Sequence, residues 1–464
     1  MRKYISLMMT VLMIVSMMTS LPAAAASDFT VEDGVLLRYT GSAASVNVPD
    51  GVYAIGDGAF EGNTAVKTVN LPSTVYTVGN RAFYHCSSLT TVTGSAVTSV
   101  GVFAFNDTPY FEHSTAEFFT LGSCLLWYNG TEARVTLPEG IVSIAPFAFL
   151  RYEGLTAFSA PSGLVSVGEG AFYECKALSS VSLPATVSYI GASAFDRTAY
   201  LSRATGFVTL GDGILIRYAG TETAVTVPSG VRRIAAGAFS GNQTVITLSI
   251  PSSVYSVDGG ACEGCTNLTT LSLSRGLVYI GERAFSGCSA LSEVATPSSL
   301  SYIGESAFEG SGVERARLNG TKLMIAANAF KNCTKLRCAL LSSGVYALED
   351  GAFGGCAALQ GVSVSPDTMV ISARAFDRGG SFTVYCTEKS YVASPVFGYT
   401  VSCTKGDSDG DGKMTILDAT RIQRYLAGLN TFETRELCVS DVDFDAGVTI
   451  LDVTRIQRIL AGLA

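Results

Sequence analysis

The feature that most constrains this chain is a repeated phrase, which occurs thirteen times between residues 28 and 403. Its pattern is Ile-Gly-x-x-Ala-Phe-x-x-Cys-x-x-Leu-x-x-Val-x-Leu-Pro, and a clear copy runs from Val167 to Pro184. Successive copies are 22 or 23 residues apart, except for two steps of 44 residues. A fixed period of this length indicates coils that stack into a solenoid. The Phe position of the phrase, which holds Cys in one copy, falls at Phe60, Phe83, Phe105, Phe149, Phe172, Phe195, Phe239, Cys262, Phe285, Phe308, Phe330, Phe353 and Phe376.

The apolar positions of the phrase indicate how each coil is built. In Leu-x-x-Val-x-Leu the last two apolar residues are two apart, so they share one face of a strand. A single coil cannot bury these residues, and each coil must therefore stack on the next. The sequence predicts a β-rich solenoid of parallel strands, with about 13 coils of 22–23 residues.

Three segments outside the regular spacing resemble one another. They are Gly34–Tyr39, Ser123–Tyr128 and Gly213–Tyr218, and each is followed by a Gly-containing turn and a second apolar strand that ends in Pro. Two strands separated by a short turn are typical of a β-hairpin, and an expanded coil is the alternative. We expect these segments to be hairpin inserts of the solenoid.

The repeated phrase resembles the BspA-like class of bacterial leucine-rich repeats over roughly residues 28–403. This resemblance implies a leucine-rich-repeat solenoid that serves surface adhesion and binds a protein or a glycan, without catalysis. Fold follows from such a match more directly than function does.

The cysteines follow the repeat. Six of them lie three residues after the Phe position, at Cys86, Cys175, Cys265, Cys288, Cys333 and Cys356. One recurring interior position favours small buried side chains that remain thiols. Disulfides between neighbouring coils, Cys265 with Cys288 and Cys333 with Cys356, are the alternative, although stacked parallel side chains suit that bond poorly.

The sequence offers little for catalysis. It contains only His85 and His113, and it lacks a Gly-x-Ser-x-Gly elbow, a His-Glu-x-x-His motif and cysteine pairs at zinc spacing. A pair of carboxylates for glycoside cleavage stays open as an alternative. We predict that the chain is not an enzyme.

The N-terminus has the features of a signal peptide. Arg2 and Lys3 precede an apolar run from Tyr4 to Leu21, and the small residues Ala23–Ala26 follow. This pattern predicts cleavage after Ala26, a mature chain that starts at Ser27, and secretion without a remaining membrane span. A retained membrane anchor is the alternative. The net charge of −8 gives no support to nucleic-acid or anionic-membrane binding.

Beyond residue 403 the repeat stops, and two acidic twelve-residue loops begin at Asp407 and Asp441. Their oxygen-rich spacing suits calcium, which takes six to eight oxygen ligands. Gly412 provides the turn of the first loop, whereas Ala446 stands at that position of the second. The sequence therefore predicts two calcium ions, with a slightly strained second loop that binds its ion more weakly. The predicted ligands are Asp407, Asp409, Asp411, the Lys413 carbonyl, Thr415 and Asp418 in the first loop, and Asp441, Asp443, Asp445, the Gly447 carbonyl, Thr449 and Asp452 in the second.

An amphipathic helix is predicted after each loop, over Ala419–Leu429 and Val453–Leu463, with Ile422, Tyr425, Leu426 and Leu429 on one face. No comparable helix is expected before either loop. Two loop-helix halves in tandem resemble a type I-like dockerin, which binds cohesin modules of scaffold proteins in cellulosome-type complexes. The resemblance places partner-binding residues at Ile416, Leu417, Gln423, Arg424, Ile450, Leu451, Gln457 and Arg458, where family members often have Ser or Thr at the first pair of each half.

These observations predict a signal peptide at 1–26, a leucine-rich-repeat solenoid at 27–403 and a small α-helical dockerin at 404–464. The expected function is an extracellular binding or adhesion subunit that calcium-dependent docking anchors to a cohesin-bearing scaffold. The alternatives are a carbohydrate-active enzyme subunit for polysaccharide breakdown, and an inhibitor or spacer of neighbouring subunits.

Overall fold

The structure is a computed structural model that describes residues 28–376, 383–386, 400–402, 405–409, 411 and 413–463. The expected signal peptide and the turn residue Gly412 lie outside these residues. The chain falls into two compact units, Met1–Ser202 and Arg203–Ala464. None of the described helices combines the length and the apolar character needed to cross a bilayer.

The first unit consists mainly of short strands. In chain order they are β1 (Phe29–Glu32), β2 (Val35–Tyr39), β3 (Ser45–Asn47), β4 (Ala54–Ile55), β5 (Thr68–Asn70), β6 (Thr77–Val78), β7 (Thr91–Thr93), β8 (Ser99–Val100), β9 (Phe118–Leu121), β10 (Cys124–Tyr128), β11 (Arg134–Thr136), β12 (Ser143–Ile144), β13 (Ala157–Ser159), β14 (Ser166–Val167), β15 (Ser180–Ser182) and β16 (Tyr189–Ile190). Two helical turns, α1 (Pro109–Glu112) and α2 (Ala199–Ser202), interrupt them. The sheet orders are β1-β2-β4-β6-β8, β3-β5-β7, β16-β14-β12-β10-β9 and β11-β13-β15.

The second unit continues this plan and ends in helices. Its strands are β17 (Gly206–Leu210), β18 (Ile214–Ala219), β19 (Ala224–Thr226), β20 (Arg233–Ile234), β21 (Thr247–Ile250), β22 (Ser256–Val257), β23 (Thr270–Leu273), β24 (Tyr279–Ile280), β25 (Glu293–Ala295), β26 (Tyr302–Ile303), β27 (Arg315–Leu318), β28 (Leu323–Ile325), β29 (Cys338–Leu341), β30 (Val345–Leu348), β31 (Gly361–Ser363), β32 (Val370–Ile371), β33 (Thr383–Tyr385) and β34 (Thr400–Ser402). The helices are α3 (Ile416–Leu426), α4 (Thr434–Ser440) and α5 (Ile450–Leu460). The sheet orders are β17-β18-β20-β22-β24-β26-β28-β30-β32, β19-β21-β23 and β25-β27-β29-β31-β33-β34.

Each regular coil contributes two strands to parallel ladders, which confirms the predicted solenoid. In β5 and β7, Val69 pairs with Val92 and both point into the core, while the flanking residues face outward. The second ladder passes through the residues before each Gly, where Ile55 pairs with Val78. This ladder could not be predicted from the sequence, because a two-residue strand is too short to show a period of two.

The core is a column of stacked aromatic rings. Phe60 and Phe83 stack with their ring centroids 4.8 Å apart, close to the spacing of adjacent strands. In the inserts a tyrosine takes the Phe position: the Tyr39 ring packs at a tilt against Phe60, with centroids 5.0 Å apart, and Tyr218 stacks on Phe239 at 5.2 Å. The expanded-coil alternative is therefore correct, because β2 pairs parallel with β4 while the following strand β3 pairs with β5 in another sheet. The expected hairpin between β2 and β3 is wrong: the hairpin partner of β2 is the preceding strand β1, which pairs with it antiparallel.

The six repeated cysteines are buried thiols, as predicted. Each sulphur lies close to the carbonyl oxygen of the Phe position one coil earlier, as in Cys175 Sγ to Phe149 O at 3.0 Å and Cys333 Sγ to Phe308 O at 3.1 Å. The thiol thus provides a weak donor for a buried carbonyl. This contact explains why cysteine, rather than alanine, recurs at that position.

Substitution of one core ring tests the stacked column. Phe285 is fully buried and stacks on Phe308 at 5.2 Å, so Phe285→Ala should lower the free energy of unfolding by about 3–5 kcal/mol. Denaturant unfolding followed by circular dichroism measures this loss. Val278 is exposed on the surface of the solenoid, so Val278→Ala is the control and should change stability little. An unchanged unfolding curve for Phe285→Ala would contradict the core assignment.

The C-terminal helices differ from expectation at two points. A seven-residue helix, α4, directly precedes the second acidic loop, where no comparable helix was predicted. The predicted apolar face is also only partly buried: Ile422 lies in the core, but Leu426 and Leu429 are exposed. The core of this module is instead formed by residues from both long helices and the second loop, namely Ala419, Ile422, Val442, Val453 and Ile456.

Candidate metal centre and partner surface

The first acidic loop gathers three carboxylates at the start of α3. One oxygen each from Asp407, Asp409 and Asp418 lies within 4.8 Å of the others. Asp418 is buried, and its Oδ1 accepts the backbone N–H of Asp409 at 3.1 Å. Its Oδ2 accepts the N–H of Thr415 at 2.7 Å. The last residue of the loop therefore ties the loop to the first turn of the helix.

The remaining predicted residues of the first loop have structural roles. Asp411 lies outside the carboxylate cluster, and its Oδ1 accepts the N–H of Lys413 at 2.8 Å. Thr415 is the N-cap of α3, because its hydroxyl accepts the N–H of Leu417 at 3.1 Å. Such a cap satisfies one of the donors that a helix leaves unpaired at its start.

The second loop repeats this geometry before α5. Oxygens of Asp441, Asp443 and Asp452 form the corresponding cluster. Asp452 Oδ1 accepts the N–H of Val442 at 2.6 Å, and Thr449 caps the helix. Asp445 lies outside the cluster, with its Oδ1 accepting the N–H of Gly447 at 2.9 Å.

The turn of the second loop uses Ala446 in place of glycine. Its φ angle is +65°, in the left-handed region that residues with a Cβ adopt at a cost of about 1–2 kcal/mol. The methyl group is buried in an apolar cluster with Cys338 and Leu340 of the solenoid. Contact with the solenoid thus offsets the cost of this backbone conformation.

The donor set of both loops fits a hard cation. All the clustered ligand atoms are carboxylate oxygens, which calcium prefers. In the second loop, Oδ2 of Asp441 is buried without a hydrogen-bond partner. Burial, and then the neighbouring Asp445 and Asp443, raise the pKa of Asp441 to about 6, although Lys405 opposes this rise. Burial likewise raises the pKa of Asp452 to about 7. A bound cation would relieve both effects.

These pKa values predict how calcium binding depends on pH. In the calcium-free loop the raised pKa values favour the protonated carboxyls, a stabilisation that is lost as the pH rises through about 6 to 7. Calcium requires the ionised forms, so its affinity for the second loop should fall as the pH is lowered from 7.5 to 5.5, by up to roughly tenfold per pH unit for each proton displaced. Calorimetry at pH 6.5 in two buffers of different ionisation enthalpy should detect proton release. At pH 8.5 this release should vanish, and equal release at both pH values would contradict the assignment.

The predicted partner-binding residues form two similar exposed patches. Ile416 and Leu417 are 55% and 62% exposed at the start of α3, and Ile450 and Leu451 are 57% and 58% exposed at the start of α5. One helical turn or more further on, the equivalent polar residues Gln423, Arg424, Gln457 and Arg458 are also exposed. Leu426, Leu429, Leu460 and Leu463 extend the exposed apolar surface of the two helices.

Sequence reasoning missed a contact between this module and the solenoid. The solenoid strand residues Cys338, Leu340 and Tyr385 pack on Leu437, Cys438 and Val439 of α4. The buried ammonium of Lys405 donates to Ser363 Oγ at 2.6 Å, Cys438 O at 2.7 Å and Asp441 O at 2.6 Å. Burial lowers the pKa of Lys405, and the nearby Asp441 opposes this. The second loop joins the contact through the N–H of Ser343, which donates to Phe444 O at 2.9 Å.

The sequences of the strands contain a pattern that indicates this contact. Outward positions are polar in Thr270-Leu271-Ser272, but they become Cys338 and Leu340 in Cys338-Ala339-Leu340. Apolar side chains on the outward face of a strand indicate that something covers them.

Comparison with known proteins agrees with both parts of this structure. The family model for the BspA type leucine rich repeat region matches the chain in six copies. The matched residues are 36–118, 126–207, 218–337 and 260–383. The model for the dockerin type I domain matches residues 405–461. Both families are typical of extracellular or cell-surface proteins, they are typically non-catalytic, and type I dockerins in general bind calcium.

Solved structures of leucine-rich repeat proteins are also similar. A protein from Eubacterium ventriosum ATCC 27560 is 19% identical, with 74% of this chain and 87% of that chain covered and a TM-score of 0.37. A leucine rich cell surface protein from Faecalibacterium prausnitzii A2-165 is 25% identical, with 78% and 97% covered and a TM-score of 0.31. Among curated proteins, none matches the chain significantly. The repeat match spans most of the sequence, and the chain belongs to the BspA-type leucine-rich repeat family and carries a type I dockerin domain at its C-terminal end.

Proposed function

We propose that this protein is a secreted, non-catalytic binding subunit, which its dockerin attaches to a cohesin-bearing scaffold of a cellulosome-type complex. The observation that carries the proposal is the pair of exposed patches, Ile416-Leu417 and Ile450-Leu451, each placed beside a carboxylate cluster. Exposed apolar side chains fixed at the start of a capped helix suit a protein partner better than solvent.

Two calcium ions complete the dockerin in this proposal. Asp407, Asp409 and Asp418 would hold the first, and Asp441, Asp443 and Asp452 the second. The other predicted ligands, Asp411, Lys413, Thr415, Asp445, Gly447 and Thr449, lie in the same loops and supply further oxygens. Bound calcium supplies the positive charge that neutralises each cluster.

The solenoid carries the ligand-binding role, for a protein or a glycan. Its outward strand positions Thr247, Ser249, Thr270 and Ser272 are exposed or half-buried. The other ladder of the solenoid, in the nine-stranded sheet, offers the stacked tyrosines Tyr279 and Tyr302, with ring centroids 5.3 Å apart. Stacked aromatic rings with polar tips suit sugar or protein contact. The dockerin covers outward positions at Cys338 and Leu340, so the ligand surface lies in earlier coils.

A two-way docking experiment tests the partner-binding role. Because the two patches are near copies, a cohesin can bind either half after a half-turn of the module. Replacing Ile416 and Leu417 by Asp in the full chain should therefore weaken cohesin binding by less than about fivefold, and so should the same change at Ile450 and Leu451. Changing all four should abolish binding, since each patch is then unavailable.

Calorimetry of the calcium-loaded full chain against a panel of cohesins measures these effects. The matched control is Val278→Asp, an exposed apolar position on the solenoid. Complete loss of cohesin binding from the double change at Ile416 and Leu417 alone would overturn two-way docking. Undiminished binding by the variant with all four residues changed would show that these patches are not the cohesin-binding surface.

A further inference from the structure

Two cysteines face each other across the contact between the solenoid and the dockerin. Cys338 is the first residue of β29, and Cys438 lies in α4, 100 residues further along the chain. Their sulphur atoms are 3.3 Å apart, and both side chains are buried. A disulfide bond is about 2 Å long, so a shift of roughly 1 Å would bring the two sulphurs to bonding distance.

Cys338 differs from the repeated cysteines in position and in partner. It pairs in register with Arg315 of β27 and Gly361 of β31, at a position that faces out of the solenoid. No other coil that the structure describes places cysteine at this outward position. The six repeated cysteines instead point into the core, towards a carbonyl oxygen. Among the described residues, cysteine therefore occurs at this strand position only where the dockerin brings a second cysteine to meet it.

We propose that Cys338 and Cys438 form a disulfide that locks the docked dockerin onto the solenoid. The oxidant is a low-molecular-weight disulfide such as oxidised glutathione. The Cys438 thiolate attacks one sulphur of the oxidant, forms a mixed disulfide and releases one thiol. The Cys338 thiolate then attacks the Cys438 sulphur, closes the protein disulfide and releases the second thiol. Two protein thiols lose two electrons and two protons, and the oxidant is reduced to two thiols.

The burial of both sulphur atoms determines when Cys438 can react with the oxidant. In the docked state α4 covers both sulphurs, so an oxidant cannot reach them. The mixed disulfide must therefore form while the dockerin is away from the solenoid, and docking then brings Cys338 to it. The Cys338–Cys438 disulfide therefore forms when calcium drives the dockerin onto the solenoid, and a reductant breaks it. This inference goes beyond the proposed docking to a cohesin and does not depend on it.

The test uses the full chain and oxidised glutathione. The protein is exposed to the oxidant in chelator, calcium is then added, and remaining thiols are blocked before digestion. Trypsin followed by a glutamate-specific protease separates the peptide 338–349 from Cys356 and yields 437–455 with Cys438 as its only cysteine. Mass spectrometry should find these two peptides joined as the major product. After unfolding without reduction, this protein should show two fewer thiols than a sample of the same protein that was never exposed to the oxidant.

Two variants and one internal control make the outcome decisive. Neither variant should give the joined peptides: Cys338→Ser should keep glutathione on Cys438, and Cys438→Ser should leave Cys338 as a thiol or as a glutathione adduct. Serine suits the Cys338 position, since outward strand positions elsewhere carry Ser or Thr. Cys333 and Cys356, on neighbouring coils, should not join. A persistent glutathione adduct on Cys438 in the folded, calcium-loaded wild-type protein would overturn the lock, as would a major product with any other pairing.

Discussion

Removal of calcium from the full chain should unfold the dockerin, leave the solenoid intact and abolish binding to a cohesin. Each loop holds three carboxylates within 4.8 Å of one another, and like charges at this distance repel strongly without a cation. In small modules of this kind metal binding and folding are coupled, so the loss of the ion removes α3 and α5 with it. Cohesin affinity should fall at least a hundredfold.

Hydrogen exchange with and without chelator measures the two parts separately. Protection should be lost in α3 and α5 and retained in the solenoid core strands around Phe285. Asp407→Ala should weaken the first calcium site, and Asp441→Ala the second. Magnesium added after chelation is the control, because its octahedral preference and reluctance to lose water make it a poor replacement. Undiminished cohesin binding in chelator would remove the calcium mechanism.

The solenoid was predictable because its signal is repeated and local. Each copy of the phrase places Phe, Leu and Val at the same offsets, and thirteen agreeing copies leave little freedom for another fold. The acidic loops were predictable for the same reason, since the ligand types recur at the same spacing from Asp407 and from Asp441. Which carboxylates meet was less certain, and Asp411 and Asp445 prove to lie outside the clusters.

The packing of the dockerin on the solenoid could not be predicted, because it joins residues that are far apart in the chain. Cys338 and Cys438 are 100 residues apart, and no period relates them. Helix α4 is only seven residues long, too short for a helical pattern to stand out. Lys405 resembles any surface lysine in sequence, and only the fold reveals that three oxygens surround its ammonium group.

Replacement of Lys405 by methionine should detach the dockerin from the solenoid while each part remains folded. The ammonium donates three buried hydrogen bonds and lies over the Phe444 ring, with its nitrogen 4.4 Å from the ring centroid. Methionine fills a similar volume but leaves Ser363 Oγ and two carbonyl oxygens without this donor. Hydrogen bonds to a charged group contribute about 1.5–3 kcal/mol each and are not additive, so we expect a loss on the order of 3 kcal/mol from the contact.

A loss of this size should raise the population of the detached state about a hundredfold. Hydrogen exchange should report it as faster exchange in α4 and in β31, which carries Ser363, while the core around Phe285 is unchanged. Lys335→Met, at an exposed lysine of the same unit, is the matched control and should leave exchange as in the wild type. Lys405 also opposes the rise in the Asp441 pKa, so its removal should raise that pKa further. Identical exchange in Lys405→Met and Lys335→Met would show that the buried ammonium does not hold the dockerin in place.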